Sequence, residues 1–148
     1  MPQSLARNVV HLIFSTKNRT PLLVPELRAG IFPYMSGILS NIDCPAIEIG
    51  GVADHIHILF LLSKNLKLTR AVEEVKRSSS IWAKDHGAPH FYWQAGYGAF
   101  SVSASNEDRV VEYIRRQEEH HAATTFQDEF RKFLKKHRIE WDERYVWD

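Results

Sequence analysis

Strand-like apolar runs alternate along this chain with runs that repeat at steps of three and four, and together they predict a mixed α+β protein. Arg7 to Ser15 carries Val9, Val10, Leu12, Ile13 and Phe14, a buried-strand composition that Thr20-Pro21 ends. Pro25 at a helix start, followed by Leu27, Ile31, Met35, Ile38 and Ile42, predicts a first helix, which Pro33 is expected to kink. Ile47 to Gly50 and Val52 to Leu62 read as two strands, with Gly50-Gly51 as a hairpin signal between them. Leu68, Val72, Val75, Ser79 and Trp82 give a second helix, and Tyr97 to Ser103 a fourth strand. Ser105 with Asp108 resembles a capping box opening a helix from Asn106 through Ala123. Thr125 with Asp128 repeats that signal before Phe126, Phe130, Phe133, Leu134 and His137 mark a last helix. This order is that of a split βαβ, ferredoxin-like or RRM-like antiparallel sheet with added C-terminal helices. No repeat or linker divides the chain, so residues 1–148 are expected to form one domain.

Chemistry enters with His55-Ile56-His57. A strand points residues i and i+2 to one face, so both imidazoles emerge side by side from an apolar segment. Two histidines are too few for a metal site. Tyr113 and Gln117, four apart on the predicted third helix, share a face and change the picture. If that face packs over the histidine strand, two imidazole nitrogens and an amide oxygen meet at a divalent ion, with positions open for substrate. The ion would polarise a phosphate oxygen while the tyrosine oxygen attacks in line. A free tyrosine has a pKa of about 10, and the sequence names no base to take its proton. Taken singly, Tyr113 also reads as an amphipathic residue at a helix boundary and Gln117 as a solvated polar one. His11 reads as a structural histidine. His120 and His121 point about 100° apart on a helix, so metal binding there is not expected. Trp93, Tyr97 and Phe100 suit either base stacking or the core, with Phe100 in the core.

A total charge of +1 argues against a nucleic-acid partner until its distribution is read. Residues 1 to 24 hold Arg7, Lys17 and Arg19 with no acid, and Arg70, Arg77 and Lys84 recur every seven residues along the second helix. These six are the candidate DNA contacts, and a neutral sum can hide a basic face. The chain has no apolar stretch long enough to cross a membrane, no secretory signal in Met1 to Val10, and no glycine loop for a nucleotide cofactor. The lone Cys44, a small buried residue at a strand start, suits a reducing cytoplasm.

Longer runs carry a resemblance: Asn8-Val9-Val10-His11-Leu12-Ile13-Phe14-Ser15-Thr16-Lys17, Asp54-His55-Ile56-His57-Ile58-Leu59, Trp93 to Ser101, Tyr113-Ile114-Arg115-Arg116-Gln117-Glu118-Glu119-His120-His121, Phe126 to Phe133 and Tyr145-Val146-Trp147. Almost end to end, the chain resembles the small single-tyrosine HUH transposases of bacterial and archaeal insertion sequences, related to the repeat-associated tyrosine transposases. The resemblance implies cleavage and rejoining of single-stranded DNA through a covalent 5′-phosphotyrosine. Tyr113 would be the nucleophile, and His55, His57 and Gln117 the ligands of Mg2+ or Mn2+. It further implies recognition of DNA hairpins at element ends, and a homodimer, with supply of the tyrosine in cis or in trans left open by sequence spacing. Three alternatives stand beside it. A HUH replication initiator or relaxase lacks residues here for a helicase domain. A non-catalytic RRM-like nucleic-acid-binding module would present aromatics where this strand presents His55 and His57. An inactive DNA-binding descendant is at odds with the intact candidate residues.

Overall fold

A computed structural model describes residues 1–148. Four strands, β1 (Asn8–Ser15), β2 (Ala46–Gly51), β3 (His55–Leu62) and β4 (Gly98–Ser101), form one antiparallel sheet in the order β2-β3-β1-β4. The helices are α1 (Pro25–Asn41), α2 (Leu68–Asp85), α3 (Glu107–Arg115), α4 (Gln117–His121) and α5 (Phe126–Lys136). The ferredoxin-like plan with added helices is therefore what the chain adopts. No helix is long and apolar enough to cross a membrane.

The period-2 alternation of β1 and β3 sorts their side chains to two covered faces. Leu12, Phe14, Ile56, Ile58 and Phe60 meet Ile31, Met35 and Leu39 of α1 and Val72 and Val75 of α2. On the other face, Ile13 packs with Phe126, Phe130 and Leu134 of α5, and Val9 and Leu59 with Ile114 of α3. His11, His55 and His57 belong to this second face: Ile13 lies opposite His57, and Ser15 opposite His55. Phe100 is buried against α5, Trp93 is buried with its indole N–H donating to Ser79 at 2.9 Å, and Cys44 is fully buried just before β2.

Several local expectations give way to tertiary packing. Gly50 and Gly51 are paired strand residues, opposite His57 and Ile56, and the turn falls after them. Gly50 is required there by contact: a Cβ would lie 2.6 Å from the Ile114 carbonyl oxygen. α1 runs unbroken through Pro33, which is exposed, so the hydrogen bond it forgoes is on the water side. Ser105 lies inside a 3-10 turn (Ala104–Asn106) rather than at an extended cap position, and no side chain caps α3. Thr125 does cap α5, accepting from the Asp128 amide at 3.2 Å.

Candidate active site and metal centre

The helix expected from Asn106 to Ala123 is broken. Arg116, at φ −98° and ψ 23°, separates α3 from α4 although arginine is a good helix former, so the cause is tertiary. The break lies between two buried residues, Ile114 on the sheet and Gln117 toward the histidines. Tyr113 and Gln117 are thus on two helices rather than one continuous face. They still meet, through a third residue the sequence reading passed over.

That residue is Glu129, buried on the inner face of α5 between Phe126 and Phe133. Its Oε2 accepts from the Tyr113 hydroxyl and, at 3.4 Å, from the Gln117 amide nitrogen. Its Oε1 lies 3.2 Å from His55 Nε2, 3.0 Å from His57 Nε2 and 3.0 Å from His121 Nε2. Gln117 Oε1 is 3.3 Å from His55 Nε2. No metal was expected at His120 or His121, yet the structure places His121 with His55, His57 and Glu129 in a group that could hold one. The roughly 100° divergence of neighbours on a helix does not keep either ring from Glu129: His120 Nε2 lies 3.4 Å from its Oε2, and α4, turned by the break, brings His121 inward to its Oε1.

Electrostatics follow from burial. Desolvation works to raise the Glu129 carboxyl, but the imidazoles of His121, His55 and His57 outweigh it and hold the group well below the usual carboxylate range. Burial, and then the charge of Glu129, push the Tyr113 hydroxyl above its ordinary pKa. His11, lowered mainly by burial, stays neutral and lies with Nε2 2.8 Å from His57 Nδ1. It is buried and partnered by His57, as expected of a structural histidine.

The donor set fits a divalent cation. His55 Nδ1 faces the Asp54 carboxylate at 2.7 Å, and His121 Nδ1 faces the Thr124 carbonyl at 2.7 Å. Both partners only accept, so both rings carry a proton on Nδ1 and turn Nε2 inward. His121 Nε2 is buried and has no hydrogen-bond partner, despite its nearness to Glu129. Lone pairs facing a carboxylate oxygen at about 3 Å repel unless a proton or cation stands among them.

In front of Tyr113 opens a cavity of about 370 Å³, lined by His11, Arg109, His120 and Glu129 and by Lys132 and Lys136 of α5. Arg109, Lys132 and Lys136 are exposed and form no ion pair.

The family model described as "Transposase IS200 like" matches residues 4–117. The chain belongs to the IS200-like transposase family. Solved structures agree on the fold. A protein from Deinococcus radiodurans R1, described as a candidate transposase, is 21% identical with a TM-score of 0.64, covering 79% of this transposase and 98% of its own chain. A REP-associated tyrosine transposase bound to a REP hairpin is 11% identical with a TM-score of 0.62, covering 84% of this chain and 74% of its own. No curated protein matches the sequence.

The structure brings His55, His57, Tyr113 and Gln117 together, but it disperses the six candidate DNA contacts. Arg70, Arg77 and Lys84 lie on α2, across the sheet from the histidines. Arg70 and Arg77 are engaged by Glu74 at 3.3 and 3.0 Å, and the Lys84 ammonium lies 4.2 Å from the centre of the Tyr92 ring. Arg7 pairs with Glu107, and Lys17 lies over Tyr92. Arg19 does border the site, in a cavity it shares with Asp54, His121 and Phe126. The cations lining the tyrosine cavity were missed because Arg109 stands among acids on α3, and Lys132 and Lys136 belong to the basic face of α5, a segment read only for its apolar spacing. Glu129 had a legible signal, an acid placed three after Phe126 and four before Phe133 on an otherwise apolar helix face.

Proposed function

We propose that this transposase cleaves and rejoins single-stranded DNA at the ends of an insertion element through a covalent 5′-phosphotyrosine on Tyr113. The observation that carries the reading is the Tyr113 hydroxyl bonded to Glu129, beside His55, His57 and Gln117 and at the wall of a cavity edged with unpaired cations. A divalent metal held by His55, His57 and Gln117 would supply a Lewis acid for a phosphate oxygen and neutralise charge developing at phosphorus.

The chain's own residues do the rest. Glu129 Oε2 aims the Tyr113 hydroxyl, whose proton leaves as the Oη–phosphorus bond forms. The phosphorus–O3′ bond breaks, and that proton ends on O3′, which leaves as a 3′-hydroxyl. The strand on the 3′ side of the break stays on Tyr113 through its 5′-phosphate. One phosphodiester replaces another, so a new 3′-hydroxyl reverses the step without a nucleotide cofactor. Arg109, Lys132 and Lys136 hold backbone phosphates beside the scissile one. Single strands suit the cavity because a flexible backbone bends between tyrosine and metal, whereas a duplex must first open. The hairpin held by the REP-associated relative supports hairpins at element ends as the DNA recognised. A homodimer joined along the outer edge of β4 would cover an unpaired strand edge.

Incubation with single-stranded element ends tests this. Wild-type protein should form a denaturation-resistant adduct mapping to Tyr113, and Tyr113→Phe, which removes one hydroxyl and keeps the ring, should form none. An undiminished adduct in the variant would refute the assignment.

A further inference from the structure

We propose that His121 and Glu129 are metal ligands together with His55 and His57, so that this chain's centre takes manganese or a later first-row transition ion in preference to magnesium. The inference deepens the metal reading above and rests on it. It starts from His121 Nε2, a buried nitrogen with no hydrogen-bond partner, on a ring whose Nδ1 is committed to the Thr124 carbonyl at 2.7 Å. On a neutral ring such an atom has nothing to donate, and it lies within 4.8 Å of the three other candidate donors. The outer nitrogens of the other two rings are held likewise, His55 Nδ1 by Asp54 at 2.7 Å and His57 Nδ1 by His11 at 2.8 Å, while their Nε2 atoms face Gln117 Oε1 at 3.3 Å and Glu129 Oε1 at 3.0 Å. Metal-bound histidines have their outer nitrogen fixed by such a partner.

The carboxylate completes the set. Glu129, with 1% of its side chain exposed, places Oε1 within 3.0 to 3.2 Å of all three Nε2 atoms. The four donor atoms lie within 4.8 Å of one another. Bonds of about 2.0–2.1 Å set donors about 3.3–3.4 Å apart at tetrahedral angles and about 4.2 Å apart in line, so the closest pairs already match and the widest pair closes by about 0.6–1.5 Å when an ion enters. Chemistry then selects the ion. Magnesium binds hard oxygens and keeps most of its water, whereas three imidazoles in a buried pocket offer it one carboxylate oxygen. Imidazole affinity rises from manganese through cobalt toward copper, with zinc also favoured. Glu129 keeps its other oxygen on Tyr113, which ties the nucleophile to the centre.

The experiment uses the full chain, stripped with chelator and then titrated with Mn2+, Co2+, Zn2+ and Mg2+ by calorimetry, with the visible absorption of Co2+ as a second readout. The wild type should bind one Co2+ or Zn2+ per chain, and excess Mg2+ should not displace it. His121→Ala and Glu129→Gln should each weaken Co2+ binding by at least the roughly 10–100-fold that loss of an outer partner costs, and should change its spectrum. Thermal melts in metal-free buffer verify that each variant folds; should Glu129→Gln fail to fold, His121→Ala and His121→Gln carry the test alone. Variants that bind Co2+ as the wild type does, with the same spectrum, overturn the inference while leaving a metal at His55 and His57 intact. Displacement of Co2+ by Mg2+ overturns the ion preference. A wild type that binds none of the four ions overturns both this inference and the metal reading beneath it.

Discussion

The cavity in front of Tyr113 makes a quantitative prediction about salt. Replace Arg109, Lys132 and Lys136 together by alanine in a Tyr113→Phe background, which prevents cleavage, and compare with Arg70→Ala/Arg77→Ala in the same background. The first three cations are exposed, unpaired and beside the nucleophile, whereas Arg70 and Arg77 are engaged by Glu74 and face away across the sheet. Each phosphate contact to a single strand contributes about 0.7 to the slope of log affinity against log salt. Between about 50 and 200 mM salt that is roughly a 2.6-fold loss of affinity per contact, and roughly 18-fold for three. Fluorescence anisotropy with a single-stranded oligonucleotide across a salt series reads the slope. The triple variant should bind more weakly at low salt and lose about two units of slope, while the α2 pair should change little. An unchanged slope in the triple variant, or the larger change in the α2 pair, would falsify the placement of the DNA strand argued from the cavity.

Further outcomes follow from single contacts. His11→Phe removes the partner of His57 Nδ1 and should cost about 10–100-fold in metal affinity with the far-UV circular dichroism unchanged; unaltered affinity would remove His11 from the orienting role. Gly98→Val places a Cβ 2.6 Å from the Phe130 ring and should destabilise the protein by about 1–3 kcal/mol in urea unfolding, through overpacking between β4 and α5. Mixing Tyr113→Phe with His55→Ala tests how subunits share the chemistry. Recovered adduct formation supports a tyrosine supplied in trans, and a strictly monomeric mass in solution counts against the β4-edge dimer.

What the sequence determined by itself is whatever local periodicity encodes. The alternation of β3 put His55 and His57 on one face, and the period of α2 set its buried stripe. Thr125 with Asp128 marked the start of α5, because a cap is a contact between near neighbours. The order of elements sufficed for the ferredoxin-like sheet, since few topologies connect such an order without crossings. Tertiary structure decided the rest. Nothing local in Arg116 ends a helix; the burial of Ile114 and Gln117 against β3 does. The same packing turned His121 inward and set it against Glu129, eight residues on, where their chemistry depends on a meeting no spacing rule encodes. Arg70 and Arg77 show the converse. Their seven-residue recurrence marked a shared helix face, but only the packing of α2 on the sheet could show that this face looks away from the histidines. A period fixes which residues share a face; long-range burial fixes what that face meets.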